Sequence, residues 1–186
     1  MAVDLFLVIP TNAATPQISK SLTSTQDQYF LTTFPSAAIF EVTDFEFAVE
    51  NPTIVAAGGA GAGKMKLDGL VIHKPVDKGS PVLFSISASG EHFAVVQLYI
   101  RNSGAGPSGA PATPYLGYEF QTVFITNIDW SGGESAGTTE AVTFAFGAMV
   151  MAFGPTNPDG TPGPVIRGSW SELTNAGNIP DALQVK

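Results

Sequence analysis

The chain has 186 residues, no cysteine and a formal net charge of −8. Its length suits a single domain, the lack of cysteine excludes disulfides and thiolate metal sites, and the excess of acidic residues argues against nucleic acid as a partner. Charged residues make up only 13% of the sequence, compared with about 25% in ordinary globular domains. Because so little charge leaves apolar surface exposed on a monomer, we expect a permanent oligomer.

Neither the first residues nor the longest apolar run predicts a targeting or membrane segment. The opening MAVDLFLVIPT lacks the basic region of a secretory signal, and Asp4 interrupts its short apolar run. The longest apolar run, AVTFAFGAMVMAF (141–153), is shorter than the roughly 18 residues that a membrane-spanning helix needs. We therefore expect a soluble protein made in the cytoplasm.

Alternation of apolar and polar residues predicts strands over much of the chain. Residues 43–49 place Asp44 and Glu46 on one face and apolar side chains on the other. Residues 93–101 repeat this pattern, and the side chains predicted to point inward are Ala94, Val96, Leu98 and Ile100.

The Gly-rich segment GGAGAGKM (58–65) has the glycine and lysine spacing of a phosphate-binding P-loop. Met65, however, stands where a P-loop needs Ser or Thr to hold Mg²⁺. The residues that follow alternate as a strand, with a bulge at Asp68-Gly69 and an end at Pro75. A strand supplies no helix N-terminus to receive a phosphate. The glycines thus predict either a flexible connection or a place where another backbone approaches closely.

One helix is predicted, in the segment SPVLFSISASG (80–90). Ser80 can cap it, Pro81 suits the first helical position, and Gly90 suits the residue that ends a helix. Leu83 and Ile86 would give it an apolar face.

Two longer strands are predicted at 116–130 and 141–153. One face of the first carries Leu116, Tyr118, Phe120, Phe124, Ile128 and Trp130. One face of the second carries Val142, Phe144, Phe146 and Val150, and its other face is small or flexible. No charge lies between Glu140 and Asp159, so we expect both faces to be covered, by a second sheet or by a neighbouring subunit.

The chain as a whole predicts one domain of mainly β structure. Several strands and one short helix favour an antiparallel sandwich or barrel. We expect the barrel core to span 1–154, and a C-terminal extension, 155–186, to pack on that core within a single domain.

No group of side chains predicts a catalytic, cofactor or metal site. Asp44 and Glu46 would lie about 6.5 Å apart along a strand; such a pair could hydrolyse glycosides, but it is more typical of a solvated strand face. His73 and His92 lack the spacing of metal ligands. No serine stands in a G-x-S-x-G motif.

Several segments share their motifs and their order with one known family. These segments are a Gly-rich loop that ends in AGK (62–64), H-K-x-V-D-K-x-S-P (73–81), S-G-x-H (89–92) and I-R-x-S-G (100–104), with the opening MAVDLFL and the later GPVIRGSW (163–170). Together they resemble the haemolysin-coregulated (Hcp) proteins, the tube subunits of type VI secretion. Residues 11–40 are poorer in charge than the family pattern, and the loop GAGPSGAPATP (104–114) is enlarged.

The resemblance implies a structural protein with no catalytic site and no cofactor. Hcp-like subunits are two-sheet antiparallel β-barrels with one short α-helix, and they associate as hexameric rings that stack into a tube. The implied partners are other copies of the chain, the contractile sheath and spike proteins, and effectors carried in the lumen, without nucleic acid or membrane insertion. The implied location is the bacterial cytoplasm, followed by export through the type VI apparatus without a signal peptide.

The resemblance also suggests which residues take part in self-assembly. Gly58, Gly59, Gly61, Gly63 and Lys64 fall in the family's extended inter-strand loop, which reaches neighbouring subunits or rings. Two further residues, Gly90 and His92, match the turn after the helix, which we expect near the surface between rings.

Three alternatives remain open at this point. A tail-tube subunit of a phage-like particle is built on a similar barrel, although the motifs in residues 73–92 argue against this alternative. A monomeric carbohydrate-binding β-sandwich should expose aromatic rings, whereas here most aromatics alternate inward and we expect Trp130 and Trp170 in the core. A glycoside hydrolase would use Asp44 and Glu46.

Overall fold

The computed structural model describes residues 2–11, 15, 17–52, 54–56, 59–61, 64–104, 112–134, 137–155, 157 and 161–186. Its helical elements are a 3₁₀ turn (Lys20–Leu22), α1 (Gln28–Thr33) and α2 (Ser80–Ser89). Its strands are β1 (Val3–Ile9), β2 (Ala38–Val42), β3 (Asp44–Glu46), β4 (Val49–Glu50), β5 (Ile54–Ala56), β6 (Gly59–Gly61), β7 (Lys66–Leu67), β8 (Leu70–Pro75), β9 (His92–Asn102), β10 (Leu116–Gly133), β11 (Gly137–Phe153) and β12 (Ile166–Ser171).

One antiparallel sheet forms the body of the molecule. Its strand order is β2-β1-β9-β10-β11-β8-β3, and β12 pairs with β11 beside this path. The two end strands follow each other in the chain, joined by Thr43, whose backbone N donates to the backbone O of His73 at 2.8 Å. The sheet therefore closes on itself, which confirms the predicted antiparallel β-barrel; the main strands belong to one continuous sheet instead of two.

The helix predicted at 80–90 is confirmed as α2, which ends at Gly90 with a left-handed φ of 70°. Its cap differs from the prediction: Gly79 occupies the N-cap position, and Ser80 is the first helical residue. Leu83 and Ile86 are fully buried in the barrel core, as their spacing predicts.

A second helix, α1, is missing from the sequence prediction of a single helix. Asp27 caps it, because its Oδ1 accepts a hydrogen bond from the backbone N of Phe30 at 3.2 Å. Phe30 is fully buried, and its ring centroid lies 4.1 Å from that of Phe6. The helix thus covers the outer face of the sheet.

The strands bury side chains on both faces, in two separate clusters. The inner cluster fills the barrel and contains residues such as Leu98, Phe120 and Phe144. The outer cluster lies under α1 and the last residues of the chain, and its members are Phe6, Val8, Phe30, Ala37, Ile39, Tyr99, Val150, Ala152, Leu183 and Val185. The expectation that 141–153 is covered on both faces therefore holds only in part: the chain's own C-terminal segment covers Val150 and Ala152 on the outer face, whereas Met151 and Phe153 on the other face are each 39% exposed.

A crease crosses three neighbouring strands and reverses their inward face. The row Val96–Phe120–Met149 and the row Phe93–Val123–Phe146 both point to the inner cluster, although each strand has only two residues between its two members. At the crease Thr122 has φ 55°, a strained conformation for a β-branched residue.

Because of the crease, three side-chain orientations predicted from the sequence are wrong. Val150 lies in the outer cluster and not beside Val142. Ala94 is exposed, and Phe93 is buried in its place. Phe124 points outward with 39% of its surface exposed, because Val123 and Ile125 take the inner positions.

Candidate functional site

The Gly-rich segment belongs to an arm of two short ladders that leaves the barrel. β4 pairs with β7 and β5 pairs with β6, both antiparallel. Gly59 and Gly61 lie in β6, and Lys64 is exposed, whereas Gly58 and Gly63 lie outside the described residues. The strand predicted after the loop is confirmed as β7 and β8, separated at the expected bulge.

The base of the arm is fastened to the barrel. The backbone N of Asp68 donates to the backbone O of Ala48 at 2.9 Å. The backbone N of Leu67 donates to Oε1 of Glu172, in the turn after β12, at 2.7 Å. The first bond joins the two sides of the arm at its base, and the second fastens the arm to the rest of the molecule.

Gly90 ends α2 and His92 begins β9, so the two residues flank the turn between these elements. The positive φ of Gly90 favours glycine, and no atom lies within 4 Å of the position that a Cβ would take. The exposed imidazole of His92 stacks on the ring of Phe124, with centroids 5.1 Å apart. The turn is thus a surface feature without catalytic partners among these contacts.

A buried ionic network explains three positions of the motif H-K-x-V-D-K-x-S-P, namely Lys74, Asp77 and Ser80. Nζ of Lys74 lies 2.8 Å from Oε1 of Glu140 and 2.9 Å from Oδ2 of Asp77, and the side chains of Lys74 and Glu140 are fully buried. Ser80 Oγ donates to the same Oε1 at 2.7 Å, and Lys74 Nζ also donates to the backbone O of Pro75 at 3.0 Å. With its donors satisfied, the charge of Lys74 holds β8, β11 and the start of α2 together.

Trp130 extends this network to the surface, which corrects its predicted place in the core. Its Nε1 donates to Oε2 of Glu140 at 2.9 Å, yet half of the residue is exposed. Its ring meets that of Phe84 edge-on, with centroids 5.9 Å apart. We call Val76, Pro81, Phe84 and Trp130 the tip patch, because they line a groove at the tip end of the β10–β11 hairpin.

A second apolar surface lies at the opposite end of the same hairpin. Phe153 pairs directly with Ile166 across β11 and β12, so the two side chains share a face with Met151. The ring of Tyr115 packs edge-on against Phe153, with centroids 6.3 Å apart. We call Tyr115, Met151, Phe153 and Ile166 the base patch; Ile166 is 65% exposed.

Arg101, from the motif I-R-x-S-G, lies on the outer face of the sheet, where it links neighbouring elements. Its guanidinium contacts the carboxylates of Asp4, at 3.2 Å, and Asp27, and so joins β9 to β1 and to the cap of α1. Burial by itself would lower the pKa of Arg101, but the hydrogen bonds and charges of Asp27 and Asp4 outweigh it and raise that pKa.

The residues weighed for catalysis and metal binding do not gather into one site. Asp44 and Glu46 lie exposed on β3, where Asp44 is paired with His73. Among the described residues, no three His, Asp or Glu side chains stand close enough to hold a metal ion. In the same part of the chain, no helix has the length and apolar character needed to cross a bilayer.

Sequence reasoning missed both patches and the partner of Lys74. Lys74 and Glu140 are far apart in the chain, so only the three-dimensional fold joins them. One signal was available: Phe84 is a large aromatic residue outside the Leu83–Ile86 face of α2, which places it toward solvent.

Comparison with known proteins identifies relatives of this chain. Residues 35–153 match the model of a family described as "Type VI secretion system effector, Hcp". The chain is 34% identical over 116 residues to Protein hcp1 of Pseudomonas aeruginosa, which covers 60% of this chain and 68% of that protein.

Solved structures show the same fold over nearly the whole chain. One, a type six secretion system protein, superposes with a TM-score of 0.74 and 23% identity, covering 95% of this chain and 100% of the other. Hcp1 from Salmonella typhimurium superposes with a TM-score of 0.68 and 20% identity, covering 96% and 100%.

Proposed function

Since the chain belongs to the Hcp family and is a tube subunit of the type VI secretion system, we propose that it closes into hexameric rings that stack into the tube. The observation that carries this proposal is the extent of the family match. Residues 35–153 run from just before β2 to the end of β11, so they include the sheet closure at Thr43 and the Lys74–Glu140 network. The match therefore covers every strand of the closed path except β1.

The described residues among those proposed for self-assembly lie on the arm and at the turn after α2. Gly59 and Gly61 of β6 and the exposed Lys64 belong to the arm, and we propose that this stretch of sequence, with Gly58 and Gly63, reaches a neighbouring subunit or ring. Gly90 and His92 flank the turn after α2, which we propose lies near the surface between rings. The exposure of Lys64 and His92 supports both assignments.

The remaining parts of the proposal concern partners, activity and organisation. The tube contacts a contractile sheath and a spike, carries effectors in its lumen, leaves the bacterial cytoplasm through the type VI apparatus and has no enzymatic activity. Residues 155–186 extend the 1–154 core within one domain. The packing of Leu183 and Val185 in the outer cluster supports this organisation.

Negative-stain electron microscopy of the purified protein, at low and high concentration, tests the assembly. Uniform rings with an open centre and six-fold symmetry are the expected result. A monodisperse monomer at every concentration would contradict the proposal and would favour a binding module instead.

A further inference from the structure

We propose that the outer face of the barrel carries a peptide-binding groove, and that the chain's own residues 179–186 occupy it as an exchangeable ligand. We call these residues the strap; they follow Asn178, where the backbone turns with a φ of 58°, and they belong to no helix or strand. The ligand class is an extended segment of a partner protein that carries an acidic side chain followed by two apolar ones at alternate positions. This inference goes beyond the proposed function, because it does not depend on ring formation.

The strap presents alternate side chains to the barrel. Ile179 and Asp181 are partly buried, Leu183 and Val185 are buried, and the residues between them are exposed. This alternation is typical of an extended chain that lies on a surface. Room for the apolar pair comes from Gly117 of β10, since a Cβ there would lie 2.9 Å from the side chain of Val185 and 3.1 Å from that of Leu183. The groove therefore exists because one strand residue has no side chain.

Side chains of β9 and β10 hold the backbone of the strap at every second residue. The hydroxyl of Tyr99 accepts a hydrogen bond from the backbone N of Gln184 at 3.1 Å. The buried carboxylate of Glu119 accepts one from the backbone N of Ala182 at 2.9 Å. Nε2 of Gln121 donates to the backbone O two residues earlier, at 2.9 Å. Because every peptide has these backbone groups, the bonds select an extended conformation and leave the sequence to be read by side-chain contacts.

The groups that hold the strap are also bonded to one another. Nε2 of Gln97 donates to Oε2 of Glu119 at 2.8 Å, and Oε1 of Gln97 accepts from the hydroxyl of Tyr99 at 3.2 Å. Nε2 of Gln121 donates to Oε1 of Glu119, also at 2.8 Å. Residues of the barrel thus orient the polar groups of the groove, so a peptide that replaces the strap finds them in place.

The strap is joined to the barrel by few bonds between backbones. Within the described part of the chain, a single backbone-to-backbone hydrogen bond, from N of Lys186 to O of Pro114 at 3.2 Å, connects the strap to the rest of the protein. The strap can therefore leave without breaking a strand pairing of the sheet. Segments held in this way open at a lower free energy than the strands of a core.

Charge and mass action favour a segment of a different protein as the occupant that replaces the strap. Nε of Arg167 lies 3.2 Å from Oδ2 of Asp181, and the arginine side chain is 43% exposed, so a positive group waits at the groove for an acidic residue. Exchange of straps between two copies would replace each contact by an identical one and would shift no equilibrium. A different protein with the same pattern brings further contacts around the groove.

The test measures the binding of a fluorescent peptide with the sequence of residues 179–186 to the full chain, by fluorescence anisotropy. In wild type the tethered strap competes at an effective concentration of roughly millimolar or more. Leu183→Asp in the chain disables the tethered strap and leaves the groove intact, so the peptide should bind at least about tenfold more tightly than to wild type. If circular dichroism shows that Leu183→Asp is unfolded, the milder Val185→Ser serves for the same comparison.

Matched controls locate the binding in the groove. Gly117→Val, added to Leu183→Asp, fills the groove and should abolish binding; Gly117→Ala replaces it if Gly117→Val unfolds the chain. Gly133→Val in the same strand should leave binding unchanged, because no atom lies within 4 Å of a Cβ added there. A peptide that carries Leu183→Ser and Val185→Ser should not bind, whereas one that carries Gln184→Ala should bind like the original, since that side chain is exposed.

Three results would overturn the inference. Equal affinity for wild type and for Leu183→Asp would mean that the strap and the peptide do not compete for one site. Absence of binding to Leu183→Asp at roughly millimolar peptide would mean that the groove holds only a tethered segment. Binding that survives Gly117→Val would place the peptide elsewhere on the surface. Each result is independent of ring formation, so a failure here is distinct from a failure of the proposed function.

Discussion

The two ends of the β10–β11 hairpin are fastened to the rest of the molecule in different ways: a buried ion pair holds the tip end, and the base end is held mainly by apolar contacts, with hydrogen bonds to Glu119 but, among the described residues, no ion pair to the hairpin itself. At the base end, Val150 and Ala152 are covered by Leu183 and Val185, in a cluster of apolar side chains. At the tip end, Glu140 is held by a buried lysine and by the indole of Trp130. The apolar cover consists of many small contacts, whereas the ionic network depends on each of its members.

This difference teaches where a single substitution does most damage. Apolar packing declines gradually as atoms are removed, because each carbon contributes a small part of the total. A buried charge that loses its partner stays desolvated without compensation. We therefore expect the tip end to be the more sensitive to substitution and the base end the more tolerant.

The largest expected effect is that of Lys74→Met. This substitution leaves Glu140 buried without its counter-charge, so the free energy of unfolding should fall by about 3–5 kcal/mol. Chemical denaturation followed by fluorescence measures it, with Lys78→Met as the control, because Lys78 is exposed in the same segment. Equal stability of the two variants would mean that the network contributes nothing to stability.

A smaller effect is expected for Leu183→Ala at the base end. Leu183 is 5% exposed, and removing three carbons from a packed site should cost about 2–3 kcal/mol. The control is Gln184→Ala, since that neighbouring side chain is exposed. A loss larger than that of Lys74→Met, under the same denaturation conditions, would reverse the proposed ranking of the two ends.

The smallest effect is a pH dependence at the base end. Burial raises the pKa of Tyr99 well above its ordinary value of 10.0, so the folded protein keeps the phenol neutral while the unfolded chain ionises. This contribution to stability is complete below pH 10 and is lost as the pH rises above it, at up to about 1.4 kcal/mol per pH unit. Tyr99→Phe should show a shallower decline between pH 9 and pH 11; equal slopes would show that Tyr99 does not control the alkaline sensitivity.

The sequence was most informative where local rules act alone. The end of α2 at Gly90 and the bulge between β7 and β8 follow from turn and helix chemistry that a few neighbouring residues specify. The family motifs also pointed to the fold, although their physical reason appears only when Lys74 is seen beside Glu140.

The prediction failed where alternation is interrupted without a visible signal. Thr122 adopts a left-handed conformation that glycine or asparagine usually marks. The residues from Val123 to Ile125 change face, and a second register shift before Asn127 brings Ile128 back to the inner face. α1 was missed although Asp27 offers a cap, because its apolar residues point to an outer face that a simple barrel would leave bare. Trp130 was assigned to the core because the alternation of apolar and polar residues shows which face of the strand it lies on. The alternation does not show that this part of the strand lies at the exposed end of the barrel.

The closure of the sheet through Thr43 also determines when the barrel can form during synthesis. β1 finds its partner β9 only after residue 102 has been made, and β8 gains β11 only after residue 144. Until then the edges of β1 and β8 that pair with these strands are open to other strands. The barrel therefore cannot close until most of the chain has been translated, although β1–β2 and β3–β8 can pair earlier. Pairing between distant segments also makes folding slow compared with that of a helical protein of equal length.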